Sequence, residues 1–208
     1  MARSLQRLGL SLLAGVTLAA SLPCVSSSAS AHEQHKRIAD ANALVSSEAP
    51  AGRRQAATKG PYYVDFRART AASWGHAFVW YGKTSERAVE VAGLTPVGET
   101  FTYVLGHLTF VPAETGASYG DLDPEYLTAN YRVYLSEADA KRVFAYIKQL
   151  QANSLVWNAE TANCTSFIGS IASFMGLKTP VRWLRPENYV NRLKEMNGGR
   201  QMVRLSAE

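Results

Sequence analysis

Hydrophobic and polar positions follow two different periods along this chain, and the switch between them predicts its elements. Tyr62-Tyr63-Val64-Asp65-Phe66-Arg67-Ala68-Arg69 alternates with the two-residue period of a strand. Residues 73–81, rich in aromatic and β-branched side chains, predict a second strand. Gly82-Lys83-Thr84-Ser85-Glu86 reads as a turn and residues 87–94 as a returning strand, so the pair predicts a β-hairpin. Residues 101–111, which include His107, read as a further strand. Residues 112–126 are dense in Gly, Pro, Asp and Glu and form a loop long enough to cover a site. A short strand follows over residues 130–135.

Beyond Ser136 the period becomes helical. Ser136 with Asp139 is a carboxylate variant of the capping box, and Val143, Phe144, Ile147 and Leu150 recur on one face. A second helix is predicted over residues 164–175, with Phe167, Ile168, Ile171, Ala172 and Met175 toward the core and Gly176 as its stop. Pro186–Met196 predicts a third helix, opened by proline and ended by Gly198-Gly199. The sum is an α+β domain over residues 60–197: a small antiparallel sheet of four to five strands on about three helices. Residues 198–208 are a C-terminal tail, and there is no internal repeat.

The first 59 residues have another character. Arg3 and Arg7 precede an apolar run from Leu8 to Leu22, and a small-residue tail ends Ala29-Ser30-Ala31. Basic start, apolar centre and Ala-x-Ala ending predict a signal peptide over residues 1–31, cleaved after Ala31, and hence a periplasmic or secreted protein without a membrane span. Residues 32–59, polar and alanine-rich, predict a flexible linker. The formal charge of +5 falls to +3 without Arg3 and Arg7. No basic run is interleaved with aromatics, so nucleic acid is not an expected partner.

Export sharpens the cysteine count. Of the two cysteines, Cys24 leaves with the signal, and Cys164 remains as a lone thiol in an oxidising compartment. It stands where the second helix begins, and unpaired N–H groups with the positive end of the helix dipole favour thiolate there. Such a thiol is either inert and buried or kept for chemistry. As a nucleophile it needs a base, an orienter for that base and oxyanion donors. His76, behind Gly75 and on one strand face with Phe78 and Trp80, is the candidate base. Glu90, in the facing strand, is the candidate orienter or else a solvent-face residue; His107 competes for that role. Asn158 and Asn163, beside Trp157, either contact substrate or cap the turn.

Gly-His-Ala-Phe-Val upstream of Asn-Cys-Thr-x-Phe resembles the circularly permuted papain-like cysteine hydrolases, the branch that includes permuted NlpC-type and lecithin-retinol-acyltransferase-like enzymes. The resemblance covers roughly residues 60 to 195 and rests on these two motifs, with histidine before cysteine as in the permuted branch. It implies Cys164 as nucleophile, His76 as base and Glu90 at the third polar position. Trp157-Asn158 ahead of Asn163-Cys164 is similar to the loop these proteins place before the nucleophile. The implied activity is two-step acyl chemistry on an amide or ester, with no metal or organic cofactor. A peptide or acyl substrate, peptidoglycan among them, and a monomeric state complete the expectation. Two rivals stand beside it: a lipid-directed thiol acyltransferase or esterase, and a non-catalytic envelope binding protein on the same fold.

Overall fold

The two-residue alternation builds a four-stranded antiparallel sheet from β1 (Tyr62–Arg69), β2 (His76–Lys83), β3 (Glu90–Gly93) and β6 (Leu127–Leu135), in the order β3-β2-β1-β6. A computed structural model describes residues 60–70, 74–98 and 100–206. The signal and linker expectations for residues 1–59 lie outside the described residues. A second antiparallel sheet is formed by β4 (Thr95–Pro96), β5 (Val111–Glu114) and β7 (Val156–Trp157). Four α-helices complete the described part: α1 (Thr100–Leu105), α2 (Glu137–Asn153), α3 (Cys164–Phe174) and α4 (Pro186–Met196). The fold is α+β.

The four-stranded sheet separates two side-chain clusters of different chemistry. Val64, Phe66 and Ala68 of β1 share one face with Ala77, Val79 and Tyr81 of β2. There they pack against Ile147 of α2, Phe167, Ile168 and Ile171 of α3, and Leu193 of α4 in the main core. The other face carries Tyr63, Phe78, Trp80 and Tyr134 together with three basic side chains, Arg67, Arg69 and Arg132.

Caps place the helices as the sequence predicts. Ser136 accepts the Asp139 N–H at the start of α2. Asn163 and Ser166 form a reciprocal capping box at α3, so the first turn begins at Cys164. The segment read as a C-terminal tail joins the fold. Gln201 and Val203 bond the Tyr134 backbone, Met202 bridges Tyr134 in parallel, and Val203 is buried.

One predicted strand is corrected. Residues 101–111 are not a strand: Thr100–Leu105 is helical and only Val111 begins β5. Gly106 explains the difference, because a side chain there would run into the Trp157 ring. With hydrogen only, α1 lies close over Trp157, and the Tyr103 ring sits 5.4 Å from it. Gly106→Val is expected to lift α1 and destabilise the domain by about 1–3 kcal/mol. Denaturant titration checks this, and a midpoint unchanged from the native protein would contradict the close approach.

Candidate functional site

Two polar neighbourhoods lie on opposite sides of β2. The first surrounds Cys164, the free cysteine among the described residues and a partly exposed one. Its side chain packs against the core face that holds Ala77 and Val79. Burial pushes the thiol pKa up; the backbone amides of Ala77, Thr165 and Cys164 itself, then the Arg69 charge, pull it back down. Burial raises the phenol pKa of Tyr103 in α1, and the charge of the nearby sulfur adds to the shift. On the far side, the Thr165 hydroxyl donates to the Arg182 carbonyl and so ties the first turn of α3 to the segment before α4.

The second neighbourhood holds His76. Alternation sends His76, Phe78 and Trp80 to the face away from Cys164, and the imidazole stacks on Phe78 with ring centroids 5.6 Å apart. A side chain on Gly93 would come within 2.6 Å of His76 Nε2, so glycine there makes room for the ring. Nε2 lies 3.9 Å from Asp121 Oδ2 and has no hydrogen-bond partner. Asp121 is otherwise engaged. Arg69 Nε donates to Oδ1 at 2.6 Å, and the Ser118 amide and hydroxyl donate to Oδ2 at 2.8 and 3.0 Å. Trp80 Nε1 donates to the Asp121 carbonyl at 3.2 Å, which holds the residue 112–126 segment over this face. Residues 118–121 of the predicted loop therefore cover His76, while its first residues, 112–114, belong to β5.

His76 is 4% exposed. Burial lowers its pKa from 6.5 to about 4; Asp121 opposes the shift and Arg69 adds to it. Unfolding restores the ordinary value, so the unfolded chain takes up this proton first as pH falls. The stability tied to neutral His76 is complete above pH 6.5 and is lost as pH falls toward 4. Its size is on the order of 3 kcal/mol. Unfolding free energies at neutral and acid pH, compared between the native chain and His76→Gln, check the slope. Equal slopes in both would place the ring in water.

Of the predicted dyad, then, β2 brings the backbone of Ala77 to the sulfur and carries the neighbouring imidazole away from it. No hydrogen bond joins Cys164 to His76 among the described residues. The orienting carboxylate is corrected as well. The β2–β3 register sets Glu90 opposite Tyr81, five residues along β2 from His76, because the turn is centred between Ser85 and Glu86, later in the chain than a centre that would set Glu90 against His76. Glu90 is exposed, accepts from the Tyr81 hydroxyl at 3.1 Å and pairs with Lys148 of α2. His107 is exposed too, its Nδ1 3.0 Å from the Tyr103 carbonyl, and does not reach His76. The carboxylate beside the imidazole is Asp121.

The residues predicted to contact substrate are committed to the scaffold. Asn158 Nδ2 donates to the Gly106 and Thr109 carbonyls, at 3.0 and 3.2 Å, while its Oδ1 accepts from Glu160, Thr161 N–H and the Thr161 hydroxyl. Asn163 Oδ1 accepts from the Ser166 amide, and its Nδ2 donates to the Ala159 carbonyl at 2.7 Å. Trp157 is buried under Tyr103 and His107. These three hold the turn and α1 in place around the thiol.

Sequence reasoning passed over Arg69 and Asp121. The signal for the first was present: Asp65, Arg67 and Arg69 are alternate residues of one strand, which places three charges on one face. Asp121 had no local signal, since its loop is rich in acids throughout. Among the described residues no three His, Cys, Asp or Glu side chains gather as a metal site, and no helix is long and apolar enough to cross a membrane. No family model, curated protein or solved structure matches the chain.

Proposed function

We propose that the chain is an exported cysteine hydrolase of permuted papain-like type, which cleaves amide or ester bonds through an acyl-thioester on Cys164. The seat of the thiol supports this reading: the first residue of a capped helix, partly open to solvent, with the amides of Ala77, Cys164 and Thr165 close by. Those amides favour thiolate and suit the oxyanion of a tetrahedral intermediate. The sulfur attacks the carbonyl carbon, its proton passes through a base to the leaving amine or alcohol, and water then cleaves the thioester to the acid and regenerates the thiol. His76 serves as that base only after its ring leaves Asp121 and rounds the start of β2, where Gly75, at φ 103°, supplies a glycine-only backbone. In this reading the arrangement described above is a resting one. Cell-wall peptides are the substrate class proposed, by analogy with the family the chain resembles and with the expected export.

One observation favours a second reading, a non-catalytic envelope binding protein: the imidazole is buried beside Asp121 and Arg69, away from the sulfur. An activated ester and an alkylating probe, each followed by mass mapping, decide between the two. The hydrolase reading expects a turning-over thioester on Cys164 that accumulates in His76→Ala. A thiol inert to both reagents at neutral and alkaline pH overturns it and leaves the binding protein.

A further inference from the structure

The first helix carries its apolar stripe on the wrong side for a core. Phe101, Val104 and Leu105 of α1, with Leu108 in the turn that follows it, stand at i, i+3, i+4 and i+7, the spacing of a buried helix face. Here that stripe faces solvent. Phe101 is 79% exposed, Val104 56%, Leu108 84% and the following Phe110 58%, and no residue of α1 is buried. The helix is held from its opposite side, where Tyr103 and Gly106 lie on Trp157. Val156, on the strand paired with β5, and Leu155 just before it are also exposed, and β5 itself follows directly after Phe110.

Charge separates this surface from an ordinary exposed patch. From residue 100 to residue 113 the chain contains no Asp, Glu, Lys or Arg. The segment at the other flank of the α3 N-terminus, residues 177–186, contains Lys178, Arg182 and Arg185 and no acid. Both flanks meet the same turn, Tyr103 beside Cys164 and Arg182 through the Thr165 hydroxyl. On the basic flank two exposed indoles each carry a guanidinium: Arg182 lies 5.3 Å from the Trp183 ring and Arg185 5.5 Å from Trp74. Gly75 and Pro186 are near enough to hold Trp74 beside that segment.

We propose that this end of the domain docks on an anionic lipid surface. Phe101, Val104, Leu108 and Phe110 enter the acyl boundary, Trp74 and Trp183 rest at headgroup depth, and Arg182 and Arg185 meet lipid phosphates. An uncharged wedge edged by indoles and arginines fits a bilayer interface, where apolar burial needs no matching partner side chains. A second copy of the chain would set these arginines against their own kind. The docking is independent of the acyl chemistry proposed for Cys164, although it would turn the thiol end of α3 toward lipid.

Hydrogen exchange of the full chain, with and without vesicles of phosphatidylcholine and phosphatidylglycerol, tests the docking and locates it. The expected result is slowed exchange over residues 100–110 and 181–185 with the mixed vesicles, weaker with phosphatidylcholine alone and weakened by salt. Combined Phe101→Ser, Leu108→Ser and Phe110→Ser substitutions, all at exposed positions, should lower vesicle affinity by about tenfold or more. Arg182→Glu with Arg185→Glu should reduce binding to the anionic vesicles selectively. Protection confined to residues before 60, or affinity unchanged in the triple variant, overturns the proposal. So does protection over residues 100–110 that appears without lipid at high protein concentration, which assigns the surface to self-association.

Discussion

Asp65→Ala is expected to destabilise the domain by about 3–5 kcal/mol. Asp65 is wholly buried on the basic face of the sheet and serves two cations. Arg67 Nη1 lies 3.2 Å from Oδ2, and Arg132 donates to the same oxygen through Nε at 3.3 Å and Nη2 at 2.9 Å. Both guanidiniums lie over aromatic rings, Arg67 3.6 Å from the Trp80 centroid and Arg132 4.4 Å from that of Tyr63. Arg132 still reaches water, but Arg67 is 6% exposed, and burial already presses its pKa down. Without the carboxylate it is a desolvated cation with no counter-charge. For a domain of this size the loss reads as a fall in Tm of roughly 10 °C. Removing the second charge as well, Asp65→Leu with Arg67→Met, should recover most of it. A single variant as stable as the native protein would mean that water reaches this face.

Cys164→Ala is expected to abolish acyl transfer, by at least about a thousandfold, while leaving the folding midpoint within about 1 kcal/mol of native. The pH profile carries the sharper information. Burial holds the thiol above its ordinary value of 9.0, and the imidazole keeps to the other face of β2, so no imidazolium–thiolate pair exists in the described arrangement. Alkylation of Cys164 should therefore climb with pH through and beyond 9, without a plateau in the acid range. A plateau below neutrality would show an ion pair, and with it that His76 has crossed to the sulfur. Residual acyl transfer in Cys164→Ala at near-native rate would move the nucleophile elsewhere.

Periodicity and capping signals were enough to read most elements. The strand pattern from Tyr62 to Arg69, the Ser136 cap, the start of α3 at Cys164 and Pro186 at the head of α4 all follow from local rules. Residues 101–111 did not, because Phe101, Tyr103 and Leu105 satisfy a two-residue period while Phe101, Val104, Leu105 and Leu108 satisfy a helical one. Packing of Gly106 on Trp157, a contact across 51 positions of sequence, decides between them. The site was legible in its parts and not in its assembly. Alternation shows that His76 shares a face with Phe78 and Trp80. It does not show that α3 covers the other face, with Ala77 and Val79. Strand period says which side chains go together; only tertiary packing says what lies above them.

The bridge between Met202 and Tyr134 has a consequence for behaviour in crowded solution. β6 is the outermost strand of its sheet, and a bare outer strand offers a row of unsatisfied amides and carbonyls on which a neighbouring chain can add itself. The stretch from Gln201 to Val203 occupies part of that row and buries Val203 beneath it. Those few residues act as a selvedge, finishing the border of the sheet so that it does not grow from molecule to molecule.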